Sequence, residues 1–73
     1  MKVVEVTEEP VELYKILKFE GMVSSGGEAK QVVSEGMVKV NGIVETRKRK
    51  KIMPGDTIEF ANEIIKIKLQ EEK

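Results

Sequence analysis

The chain has 73 residues, enough for one domain that buries about 60 % of the surface its unfolded form exposes, and so a small core. It contains no Cys and no His, which excludes disulfides, a Cys-based zinc or redox site, and the commonest general base and metal ligand. Lys plus Arg and Asp plus Glu number 13 each, so the net charge is zero, and no apolar run approaches the roughly 20 residues of a membrane span or forms a secretory core; we expect a cytoplasmic protein.

Lys2–Val6 (KVVEV) is rich in β-branched residues and predicts a short strand. Thr7-Glu8-Glu9-Pro10 predicts a helix start, because Pro suits the first helical position and acids suit the positive end of the dipole. Leu13, Ile16 and Leu17 follow at i, i+3, i+4 as one apolar face, with Lys15 and Lys18 on more exposed sides, and Gly21 ends the helix. Met22 and Val23 are expected between this helix and the next. Each helix is read as about 9–10 residues, too short to persist without tertiary packing.

In the second helix Ser25 stands three residues before Glu28, the spacing of a capping box in which Glu28 returns to the N–H of the cap itself. Ala29, Val32 and Val33 repeat the apolar face, leaving Lys30, Gln31 and Ser34 towards water. Gly36 provides the stop. Val38-Lys39-Val40 alternates as a half-buried strand, and Asn41-Gly42 is the commonest two-residue hairpin turn, with Ile43-Val44-Glu45 as the returning arm. The basic stretch Thr46–Lys51 (TRKRKK) comes next, then a short strand at Ile52-Met53 and a turn at Pro54-Gly55-Asp56. Thr57–Phe60 and Glu63–Lys68 are strands joined at Ala61-Asn62, and Glu71–Lys73 is a polar, frayed tail. The fold class is α+β: two short antiparallel helices packed on a small, mostly antiparallel β-sheet, in one domain spanning 1–73.

Charge is segregated along the chain. Residues 1–14 carry −3, residues 15–51 carry +5 and residues 52–73 carry −2. Within the basic middle, Arg47-Lys48-Arg49-Lys50-Lys51 places five cations in succession, either to meet an anionic partner or as a solvated loop. If extended, the run would send alternate side chains to opposite faces. Ser25-Gly26-Gly27 opens a helix whose free N–H groups and dipole favour anions, although the glycines could serve only a sharp turn into the helix. Lys30 and Lys39 complete a helix-plus-hairpin unit with one basic face. Tyr14, Phe19 and Phe60 form no stacking platform for bases, and both Phe residues are expected in the core. No P-loop, dinucleotide fingerprint, metal-ligand cluster or catalytic constellation is present, so neither enzyme activity nor a cofactor is expected.

Val11-Glu12-Leu13 through Asp56, with SSGGEAK, EGMVKVNG, VETRKRKK and PGD in that order, resembles the alpha-L RNA-binding motif, or S4 domain, and most closely its small stand-alone bacterial members. The resemblance covers about 45 residues, roughly 11–56, by the order of these segments. It implies two antiparallel helices on a small sheet, with the second helix and the following hairpin facing structured RNA. Carried over by position, it singles out Ser25, Gly26, Gly27, Lys30, Gln31, Lys39, Arg47, Lys48, Arg49, Lys50 and Lys51, with Lys15 and Lys18 as peripheral contacts. This chain departs from the family's usual Arg-Leu-Asp opening at Val11-Glu12-Leu13, and from its Arg or polar pair at Gly26-Gly27. The implied function is non-catalytic binding of folded RNA, rRNA or tRNA-like, by a monomer associated with a ribosomal particle. The alternative is a protein-interaction or accessory module that docks an acidic partner or an RNA-modifying enzyme.

Overall fold

The computed structural model describes residues 2–7 and 10–70. Glu8 and Glu9 of the expected helix start, and the tail Glu71–Lys73, lie outside the described residues. Seven strands and two helices follow one another as β1 (Lys2–Val6), β2 (Val11–Glu12), α1 (Leu13–Phe19), α2 (Gly26–Ser34), β3 (Lys39–Val40), β4 (Ile43–Val44), β5 (Lys51–Ile52), β6 (Thr57–Phe60) and β7 (Glu63–Leu69). The main sheet has the order β1-β7-β6-β3-β4. Its pairs are antiparallel except the edge pair β1–β7, which is parallel with Val4 opposite Ile67. β2 and β5 form a separate antiparallel ribbon, Val11 opposite Ile52 and Glu12 opposite Lys51. The expected α+β architecture is thus present.

The two helical stripes read from the sequence, Leu13/Ile16/Leu17 and Ala29/Val32/Val33, are all buried. They close over the inward side of the sheet, where Val4, Val38, Val40, Ile58, Ile65 and Ile67 are buried, and over Ile52 of the ribbon. Val23 joins this core and Met22 packs half-buried against it, as expected for the link between helices. The helices run antiparallel: Lys18 near the end of α1 lies beside Gly26 at the start of α2, and Tyr14 at the start of α1 lies beside Lys30 further along α2.

Three expectations are corrected. α1 begins at Leu13, not at Pro10, because Val11 and Glu12 are held extended by pairing with β5. The strand expected at Ile52-Met53 is shifted to Lys51–Ile52 by the same pairing. Phe19 is 72 % exposed rather than in the core. A helix advances about 100° per residue, so Phe19 falls about 60° beyond Ile16, off the buried stripe, in the last position of α1. Phe60 is half-buried against the core as expected.

The hairpin turn adopts the expected left-handed pair, Asn41 at φ 53° and Gly42 at φ 82°. The Asn41 side chain goes further. Its amide nitrogen donates to Asp56 Oδ1 (3.0 Å), and its oxygen accepts from the N–H of Thr57 (2.9 Å) and from Thr57 Oγ1 (3.3 Å). Asp56 Oδ2 in turn accepts from the Met53 N–H (2.9 Å). The Asn-Gly turn and the Pro-Gly-Asp turn are therefore one hydrogen-bonded clamp.

Candidate nucleic-acid interface

α2 supplies the backbone of the candidate site. Ser25 makes the turn into the helix in extended conformation (φ −156°, ψ 165°), and its hydroxyl accepts from the Glu28 N–H at 3.1 Å. Glu28 reaches one residue further back than expected: its Oε1 accepts from the Ser24 N–H (2.7 Å) and Oγ (3.2 Å), not from the Ser25 N–H. Because Ser25 makes the bend, Gly26 and Gly27 are ordinary helical residues without positive φ. A Cβ on either would meet other atoms of the chain only at 3.8 Å, an ordinary contact. Nothing inside the molecule requires these two glycines, and in a helix each costs about 0.5–1 kcal/mol relative to Ala. Their bare backbone is a property of the outer surface.

From Gly27 the exposed side of α2 continues one turn at a time through Lys30 and Gln31 to Ser34, whose hydroxyl donates to the Lys30 carbonyl at 2.9 Å. Lys30 is half-buried rather than fully wet, because its ammonium lies 4.9 Å from the centre of the Tyr14 ring. Ser34 then borders a groove whose other walls are Thr46, Arg47, Lys48, Arg49, Lys50 and Lys51. The basic run is not extended. It folds back through a turn in which the Lys50 N–H donates to the Arg47 carbonyl (3.1 Å), so all five cations line one groove instead of alternating between faces.

This loop is fastened at both ends. At its start the Glu45 carboxylate accepts from the Arg47 backbone N–H (3.0 Å), Nε (3.0 Å) and Nη2 (3.3 Å). These bonds hold the Glu45 carboxyl below the usual carboxylate range and raise the Arg47 guanidinium further. Further on, the carbonyls of Lys48 and Lys50 accept from the N–H groups of Tyr14 (3.1 Å) and Leu13 (2.9 Å). They thereby cap α1, where Glu12 makes no side-chain cap. Glu12 instead pairs with Lys15 at 3.1 Å and approaches Arg49 at 4.0 Å. Lys48, Lys50 and Lys51 make no ion pair among the described residues. The carbonyls of the loop thus face the start of α1, while its cationic side chains line the groove beside Ser34, the last residue of α2, where the negative end of that helix's dipole favours positive charge.

The remaining candidates lie around this stripe. Lys18 rests its aliphatic stem beside Gly26. Lys39 projects from β3 on the side away from Val38 and Val40, directly across from Val44 on β4 and Glu59 on β6. Val44 in turn lies against Gly36, just past the end of α2, so the Lys39 side of the hairpin adjoins the stripe at its C-terminal end. Tyr14, Ser34 and Glu45 were not singled out by the sequence reading. Ser34 and Glu45 bond to Lys30 and Arg47, close by in sequence, whereas Tyr14 meets Lys30 and Lys48, which only the fold brings near it, although as the chain's one tyrosine it was a visible signal. Among the described residues no group of His, Cys, Asp or Glu is arranged to hold a metal ion, and no helix is long and apolar enough to cross a membrane.

Comparison with known proteins agrees with this fold. Residues 4–68 match the family model described as S4 domain. The Escherichia coli (strain K12) protein named "Putative RNA-binding protein YbcJ" is 51 % identical over 57 residues, covering 78 % of this chain and 81 % of that protein. An uncharacterized YbcJ of Shigella flexneri matches to the same extent. The solution structure of E. coli YbcJ, described as revealing an alpha-L motif involved in RNA-binding, superposes with a TM-score of 0.71 at 43 % identity, over 93 % of this chain and 87 % of that one. With the matched family model spanning nearly all the described sheet and both helices, this chain belongs to the S4 domain family.

Proposed function

We propose that this protein is a non-catalytic RNA-binding protein that recognises folded RNA, rRNA or a ribosomal particle, through α2, the 46–51 loop and the adjoining hairpin. The observation that carries the reading is the loop itself: five successive cations turned into one groove beside the end of α2, on a loop whose carbonyls are fastened to the start of α1. The S4 membership and the name of the E. coli relative support RNA as the anion. Lys and Arg neutralise phosphates, and the bare Gly26-Gly27 backbone admits the RNA close to the helix. Such contacts position an RNA by shape and discriminate sequence weakly.

If about five phosphates are contacted, log K falls with log salt with a slope of about −3.5 to −4.5. Replacing Lys30, Arg47 and Arg49 by Glu abolishes binding to folded rRNA fragments while the far-UV spectrum and melting transition persist. A triple variant that binds like the parent places the interface elsewhere. Purification from its own cells at moderate salt, followed by sequencing of bound RNA, identifies the target class.

One observation favours the accessory-module reading as a second function of the same chain. Phe19 stands exposed at the rim of a groove among β1, β2 and α1, where Val4, Val6, Val11 and Ile16 are joined by Glu5, Thr7 and Glu20. A protein that co-purifies and is released by Phe19→Ser, with RNA affinity unchanged, identifies that surface as a partner site.

A further inference from the structure

Ion pairs fix several basic residues of the candidate face at the expense of their charge. Arg47 is held by Glu45, and Lys15 by Glu12. Lys30 is fixed in another way. Glu28, the acid nearest to it on α2, is turned back to Ser24, and Lys30 makes no ion pair among the described residues. Its neighbour is the Tyr14 ring, 4.9 Å from the ammonium to the ring centre. An aromatic face attracts a cation without cancelling its charge or occupying its N–H donors. Tyr14 is itself anchored. It lies half-buried against the core, and its backbone N–H donates to the Lys48 carbonyl at 3.1 Å. One residue thus touches α1, α2 and the basic loop. The Lys15 ammonium, 6.0 Å from the same ring, stands at the limit of such an interaction and is already paired with Glu12.

We propose that Tyr14 is a positioning residue of the RNA face: its ring holds the Lys30 ammonium in fixed register with the basic loop while leaving the charge available to a phosphate. This rests on the RNA-binding reading and on Lys30 as a contact. It gives a role to the exposed part of a ring that otherwise packs beside Leu13, Ile16 and Leu17 against the core. It also explains why a lysine in the middle of a short helix is half-buried without a carboxylate partner.

The test is a double-mutant cycle between positions 14 and 30, measured as affinity for a pool of labelled, folded ribosomal RNA fragments. Lys30→Met is expected to weaken binding about three- to tenfold and to flatten the salt slope by about 0.7–0.9. Tyr14→Leu is expected to weaken the parent several-fold but to add nothing in the Lys30→Met background, whereas Tyr14→Phe, which keeps the ring, binds like the parent. A second readout needs no RNA. In proton NMR spectra the Lys30 side-chain methylenes carry an upfield ring-current shift that Tyr14→Leu removes and Tyr14→Phe retains. Full Lys30→Met loss with no Tyr14→Leu effect, or losses that simply multiply, overturns the positioning role and leaves the RNA reading standing. A parent that does not bind the pool, with no RNA recovered from cells, overturns both.

Discussion

Glu45 controls the first cation of the basic run. Its carboxylate takes three hydrogen bonds from Arg47, two of them from the guanidinium, and its pKa is lowered chiefly by those bonds. A carboxyl whose folded pKa lies below its unfolded value stabilises the fold fully above the ordinary carboxylate range, and that contribution is lost as pH falls through the lowered folded pKa. The loop is therefore fastened at neutral pH and loosens only in acid. Glu45→Gln, which keeps an acceptor and removes the charge, is expected to strengthen RNA binding and to steepen the salt slope by up to about 0.9, since Arg47 becomes free for a phosphate. Salt-titrated binding of the two proteins checks this, and an unchanged slope shows that Glu45 does not withhold Arg47 from the RNA. Asn41 works in the opposite sense, for architecture alone. Glycine tolerates the φ of 53° at this position, so Asn41→Gly isolates the side-chain bonds to Asp56 and Thr57. It is expected to cost about 1–2 kcal/mol in urea unfolding, with RNA affinity unchanged in the folded protein. The sequence disclosed Asn41 as a turn residue, because φ preference is local. It hid the clamp, because Asp56 is fifteen residues away and only the β3–β6 pairing brings the two together.

Among the elements, α2 was readable almost residue by residue: the Ser25 cap, the buried Ala29/Val32/Val33 stripe and the stop before Gly36 are all governed by neighbours within one turn. α1 was readable only in its interior. Its beginning is fixed by Lys51–Ile52 and by the carbonyls of Lys48 and Lys50, more than thirty residues downstream, which no local pattern at Thr7–Pro10 can announce. Phe19 was misassigned for a related reason, since hydrophobicity alone does not say which side of the helix end a ring takes. The glycine pair gives the element-scale prediction. Gly26→Ala and Gly27→Ala meet no clash inside the chain and gain helix propensity, so each is expected to stabilise the protein by about 0.5–1 kcal/mol. Together they are expected to weaken RNA binding, because methyl groups now stand where the RNA backbone approaches α2. Melting temperature and affinity measured side by side decide the matter. If both rise together, the glycines have no part in binding.

At the scale of the molecule, the helix pair and the α+β class were legible from the alternation of patterns, and the S4 resemblance implied the same arrangement. The way the sheet closes was not. Strand β7 lies between β1 and β6, parallel to one and antiparallel to the other, and its Ile65 and Ile67 are almost wholly buried. Pairings between residues some sixty positions apart leave no periodic trace in either strand. This closure has a consequence for biosynthesis. Strand β1 has no partner until β7 has been synthesised, and until then the core lacks Ile65 and Ile67. During translation the chain therefore emerges as an unfinished sheet, and it completes its fold only when Leu69 has cleared the exit tunnel.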